Sequence, residues 1–88
     1  MFVVEKGGKS AANIENAEKI QFGYNPILRA YCVEIDDFEN SSCGYCLAQY
    51  ETEEAAGYVF QQIIIAIARG DKVFFMLSDE EIENAIRS

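Results

Sequence analysis

The stretch from Thr52 to Gly70 constrains this chain more than any other, because it reads as one helix with both ends specified. The Thr52 hydroxyl can accept from a free amide of the first turn, as an N-cap does. Glu53 and Glu54 follow where the helix dipole favours negative charge. Arg69 falls in the last turn, and Gly70 can take the left-handed conformation that closes a helix. Between these ends Ala55, Ala56, Val59, Phe60, Ile63, Ala66 and Ile67 recur at spacings of three and four. They form one apolar stripe that can cover a face of a small sheet.

The helix is greasier than that stripe requires. Ile64 flanks it, and Ile65 lies nearly opposite, in line with Tyr58 and beside Gln61 and Gln62. Single exposed apolar residues are ordinary, but a patch shared by an aromatic and a large aliphatic residue marks an interface. Tyr58, Ile65, Gln61 and Gln62 are therefore the expected contact with another chain, a dimer first and a different protein second.

Phe2 to Glu5 reads as a strand and Gly7-Gly8 as the turn after it, with a second strand through Ser10 to Asn13. Asn13 to Ala17 reads as a turn. Glu18 to Tyr24 alternates, with Ile20, Phe22 and Tyr24 on one face, until Asn25-Pro26 breaks it. Ile27 to Ile35 alternates again: Ile27, Arg29, Tyr31, Val33 and Ile35 on one face, Leu28, Ala30 and Cys32 on the other. Asp36 to Ser42 reads as a polar loop and Cys43 to Tyr50 as a strand. Val73 to Leu77 is apolar on both faces, as a central strand is. Ser78 and Glu81 have capping-box spacing and announce a C-terminal helix over 79–87, with Ile82 and Ile86 on one side. The expected fold class is α+β: a single domain over 1–88, with an antiparallel sheet of four to five strands on one main helix over 52–69.

Half of the 88 residues are apolar, which argues for a folded core, although one of modest depth at this length. No apolar run approaches the roughly 18 residues of a membrane span, and the N-terminus carries no signal-peptide pattern. No membrane partner and a cytoplasmic location are expected. Fifteen acidic residues against seven basic ones leave a net charge of −8. That balance opposes direct binding of nucleic acid phosphates. It suits a solvated surface, or a nucleic-acid mimic that presents a negative face to a basic protein.

Cys43-Gly44-Tyr45-Cys46 has the spacing of a thiol-redox pair. Such a pair needs its first cysteine at a helix start, where the thiol pKa falls, and the helix signals here begin only at Thr52. Placed on a strand, Cys43 and Cys46 point to opposite faces. Structural zinc takes four cysteine or histidine ligands, and the chain has three cysteines and no histidine. A metal at Cys43, Cys46 and Cys32 would need an acid or a second chain to complete it. The alternative is that these thiols are small apolar side chains. Gly8-Lys9-Ser10 lacks the first glycine of a phosphate loop, since Val3 stands there. The loop from Asp36 misses the calcium pattern, because Phe38 or Ala48 falls where a ligand belongs. Without histidine there is no triad.

Tyr50-Glu51-Thr52-Glu53-Glu54-Ala55-Ala56, an apolar helix, and then Gly70-Asp71-Lys72-Val73-Phe74-Phe75-Met76 resemble a group of short uncharacterised proteins. These occur in Gram-positive bacteria such as clostridia and bacilli and in their phages and mobile elements. Met1-Phe2-Val3-Val4 and Asn13-Ile14-Glu15-Asn16-Ala17 are similar to that group as well. The resemblance implies a small cytosolic accessory or phage-type protein. It carries over no functional residue, leaves out the cysteine pair, and does not extend to Tyr24–Cys46. The expected function is a non-enzymatic interaction or self-associating module without a cofactor. A thiol or metal site and an acidic mimic are the alternatives.

Overall fold

A computed structural model of the chain describes residues 1–15, 17–37 and 45–87. The elements run β1 (Phe2–Val4), β2 (Ala11–Asn13), β3 (Ala17–Asn25), β4 (Ala30–Asp37), β5 (Tyr45–Tyr50), α1 (Glu53–Arg69), β6 (Val73–Phe75) and α2 (Asp79–Arg87). They build two three-stranded sheets, ordered β2-β1-β6 and β3-β4-β5. The expected single antiparallel sheet of four to five strands is corrected in two respects. The strands divide between two sheets, and β6 lies parallel to β1. A parallel neighbour needs a long crossover connection, and here everything from β2 to α1 intervenes between β1 and β6.

The β3-β4-β5 sheet is the larger one. Pairing of Ile20 with Ile35, Phe22 with Val33 and Tyr24 with Tyr31 puts these residues on one face, as the alternation predicts. The Ile27–Arg29 part of the expected strand is instead the turn between β3 and β4. There the Asn25 side chain accepts from the amides of Ile27 at 3.0 Å and Leu28 at 3.1 Å, and Arg29 takes φ 54°. A register shift opposite Val33 and Glu34 lets the consecutive residues Leu47 and Ala48 both reach the core, which strict alternation forbids.

On that face α1 buries Ala56, Val59, Ile63 and Ala66. Phe60 is half-buried and packs on Phe22 with ring centroids 5.1 Å apart. Gly57 makes room for the same ring: a Cβ there would lie 3.2 Å from Phe22 Cε2. Ile67 was expected in the apolar stripe but is exposed. It sits one helical step, about 100°, from buried Ala66, near the end of the helix.

The helix ends follow their sequence signals. The Thr52 hydroxyl accepts from the Ala55 amide at 3.1 Å, and Gly70 is left-handed with φ 79°. Ser78 and Glu81 exchange capping bonds of 3.2 Å each, and Ile82 of α2 is buried. Asn13 to Glu15 forms a turn in which the Asn13 side chain accepts from the Glu15 amide at 3.0 Å.

The small sheet is fastened to the large one by Val3 and Met76 in the common core and by polar links. Buried Tyr50 donates its hydroxyl to the Leu77 carbonyl at 2.8 Å. The Lys6 ammonium lies 3.8 Å from the centre of the Tyr50 ring and 3.2 Å from an Asp79 carboxylate oxygen. Tyr45 donates to the Glu5 carboxylate at 2.9 Å. No helix is long and apolar enough to cross a membrane among the described residues.

Candidate interaction surface

The β2-β1-β6 sheet has one face in the core and one in water. Phe2 pairs with Val73, Val3 with Phe74 and Val4 with Phe75. Alternation sends Val3 and Phe74 to one side, where Val3 is fully buried and Phe74 packs on the core. It sends Phe2, Val73 and Phe75 to the other, where they remain 49%, 46% and 69% exposed. A depression of about 560 Å³ beside them, lined by Phe2, Val73 and Ile67 among others, joins this face to the exposed end of α1.

The same sheet has an open edge. Val73 to Leu77 is expected to be a central strand, because it is apolar on both faces; the strand that forms is Val73–Phe75. It stands instead at the sheet margin, with β1 on one side. Lys72 accepts from the Phe2 amide at 2.9 Å, and Met76 donates to the Val4 carbonyl at 2.9 Å. Backbone groups alternate in direction along a strand. Lys72, Phe74 and Met76 therefore address β1, and the amides and carbonyls of Val73 and Phe75 point off the edge. An apolar margin of this kind is a template for another strand.

The residues expected at an interface are divided by the fold. Ile65 is 46% exposed and Gln61 is exposed. Tyr58 is half-buried and packs against the core, and Gln62 is half-buried. The helix thus offers Ile65 with Gln61, while much of the Tyr58 ring is used within the chain.

A second concave surface lies between the start of α1 and α2. This groove of about 460 Å³ has Ala55, Ile82 and Ile86 in its lining together with Glu51, Glu54 and Glu83. It combines apolar side chains with carboxylates and one cation, Arg87, which pairs with Glu83 at 2.6 Å.

Of the expected cysteine set, Cys43 lies outside the described residues. Cys32 and Cys46 lie on neighbouring strands, on the β3-β4-β5 face opposite Val33, and both are free thiols. Cys32 is fully buried, as its apolar reading predicted. Burial pushes the Cys46 thiol up to about 12, reinforced by its contact with the Cys32 thiol and by the Glu34 charge. Cys46 also donates to the Ala48 carbonyl at 3.4 Å. A thiol held protonated in this way is a poor nucleophile. Among the described residues no three cysteine or acidic side chains converge on a point where a metal could sit.

Tyr58 and Ile65 stand out in the sequence as surplus apolar residues on a helix, whereas Phe2, Val73 and Phe75 do not stand out as surface residues. Their signal was present as two runs, Phe2-Val3-Val4 and Val73-Phe74-Phe75, that are apolar on both faces although the chain has too few strands to cover both. No family model, curated protein or solved structure matches the chain.

Proposed function

We propose that this chain is a non-enzymatic interaction module that self-associates, as a dimer, through the small sheet. The observation that carries the reading is the outer face of β1 and β6, where Phe2, Val73 and Phe75 stand exposed beside an open strand edge. Large apolar side chains on a rigid sheet mark docking surfaces. Ile65 and Gln61 on α1 are a secondary contact on this reading. The resemblance to short proteins of Gram-positive bacteria and their phages fits an accessory role of this kind.

The test is native mass spectrometry with light scattering on the wild type, Phe75→Glu and Ile65→Glu. The wild type is expected to be a dimer. A charge placed at Phe75 is expected to weaken it by about tenfold or more, as loss of an interface anchor does, and Ile65→Glu is expected to weaken it less. If Ile65→Glu alone dissolves the dimer, the helix is the seam. A wild-type monomer at all concentrations would end the self-association reading.

The α1–α2 groove favours a second reading, a basic protein partner. Glu51 and Glu54 line a concavity together with the apolar Ala55, Ile82 and Ile86, while Glu83 in the same lining is paired with Arg87 at 2.6 Å. That arrangement suits a segment with an apolar anchor flanked by lysine or arginine. Binding of such a peptide, lost on Glu51→Gln with Glu54→Gln, would support it.

A further inference from the structure

We infer that two copies join through β6 against β6, antiparallel about a two-fold axis at Phe74, so that their small sheets become one continuous sheet. This rests on the self-association reading above and specifies its geometry. The backbone determines the register. Only Val73 and Phe75 present amide and carbonyl groups off the edge, since the neighbouring residues face β1. In an antiparallel pair, residues that point at each other exchange both hydrogen bonds. Setting Val73 of one copy opposite Phe75 of the other, on both sides of the axis, pairs every one of those groups. Setting Val73 opposite Val73, or Phe75 opposite Phe75, leaves half of them unpaired.

Three further observations select a second copy of this chain as the occupant. The seam is self-complementary, as a two-fold contact requires. It also places Val73 beside the other copy's Phe75 on the outer face, an apolar–aromatic cross-strand pair of the kind that stabilises sheets. Finally, Val73 to Leu77 contains no charge. Before the strand the first charge is the cation Lys72, and the Asp71 carboxylate beyond it is held by Arg69 at 2.6 Å; after the strand the first charge is Asp79, held by Lys6 at 3.2 Å. A chain of net charge −8 thus brings no free carboxylate to the seam, where like charges would repel. Paired in this way, β6 becomes the central strand that its two apolar faces describe.

Amide hydrogen exchange of the unmodified protein tests this at two concentrations, one above and one below the dimer midpoint found by light scattering. The Val73 and Phe75 amides are expected to exchange about tenfold or more slowly in the dimer than in the dilute protein, since bonded amides are protected. The Phe74 amide, already bonded to β1, is expected to change far less. A dimer whose Val73 and Phe75 amides exchange at one rate at both concentrations would overturn the edge pairing and leave self-association standing. A monomer throughout would overturn both.

Discussion

The two sheets of this molecule solve the same problem to different degrees. In β3-β4-β5 the apolar face holds Ile20, Phe22, Val33 and Ile35 under a helix, while the other face carries Gln21 and Glu34. Its alternation separates apolar from polar side chains, with the buried Cys32 the exception on the polar side. In β2-β1-β6 the alternation is lost: Val3 and Phe74 face the core while Phe2, Val73 and Phe75 face water. One helix of 17 residues covers the first sheet, and nothing described covers the outer face of the second. A run that is apolar on both faces calls for burial twice, and this fold supplies it once. On the pairing proposed above, the second cover for this face comes from another copy of the chain.

The sharpest break of this comparison is between a residue the fold has buried and one it has not. Ile63 is fully buried between α1 and the large sheet. Ile63→Ala is expected to cost about 2–5 kcal/mol, the range for an aliphatic side chain lost from a core. Phe75→Ser is expected to change the stability of the dilute monomer by no more than about 0.5 kcal/mol, as at an ordinary surface site. Urea unfolding at low concentration measures both. A cost of several kcal/mol for Phe75→Ser would mean that the outer face is occupied within the chain, and the contrast between the sheets would fail.

A smaller effect tests how the two sheets are joined. Tyr50, on the large sheet, donates to the Leu77 carbonyl just after β6. Tyr50→Phe is expected to cost about 1 kcal/mol, a lost hydrogen bond with a carbonyl left behind. The link also gives stability a pH dependence. Burial, and then the charges of Asp79 and Glu81, raise the Tyr50 phenol above its ordinary 10.0, and Cys46 rises from 9.0 to about 12. Between the ordinary and the raised values the folded chain holds protons that the unfolded chain has released, so unfolding gains as pH rises. These contributions are whole below about pH 9 and are lost as pH climbs toward and beyond 12. Urea midpoints from pH 7 to 11 are expected to fall above pH 9, and less steeply in Cys46→Ala. A profile flat to pH 11 would mean that neither group is held protonated by the fold.

Local chemistry explains how much of this was legible in the sequence. Thr52, Gly70 and the Ser78–Glu81 box act within one helical turn, so both helices stand where their caps placed them. The β3 alternation survived because its partner strand follows after a short turn. Sheet membership was not legible, because it depends on which distant strand β6 meets after the crossover. The contact of Cys32 with Cys46 was hidden by the register shift between β4 and β5. Tyr58 sits on the flank of the helix, and a helical wheel does not say how far the core reaches round it. For the proposed surface, Val73-Phe74-Phe75 announced burial on two faces, but composition alone cannot say whether the second cover comes from the same chain.

The least effect expected is also the finest probe of how closely the covered sheet is fitted. Glycine inside a helix costs about 0.5–1 kcal/mol relative to alanine, so Gly57 in the middle of α1 needs a reason. The Phe22 ring supplies it: Cε2 and Cζ lie 3.2 and 3.3 Å from where a Cβ would stand. Phe22 is partly exposed, so its ring can shift, but only by giving up part of its packing on Phe60. Gly57→Ala is therefore expected to change stability by less than about 0.5 kcal/mol, the helical gain being offset by the displaced ring. In a Phe22→Ala background the same substitution is expected to stabilise by close to 1 kcal/mol. The difference between the two backgrounds measures the coupling directly. Equal gains in both would show that the helix does not depend on glycine to receive Phe22, and the covered sheet would then be no more closely matched to its cover than the open one.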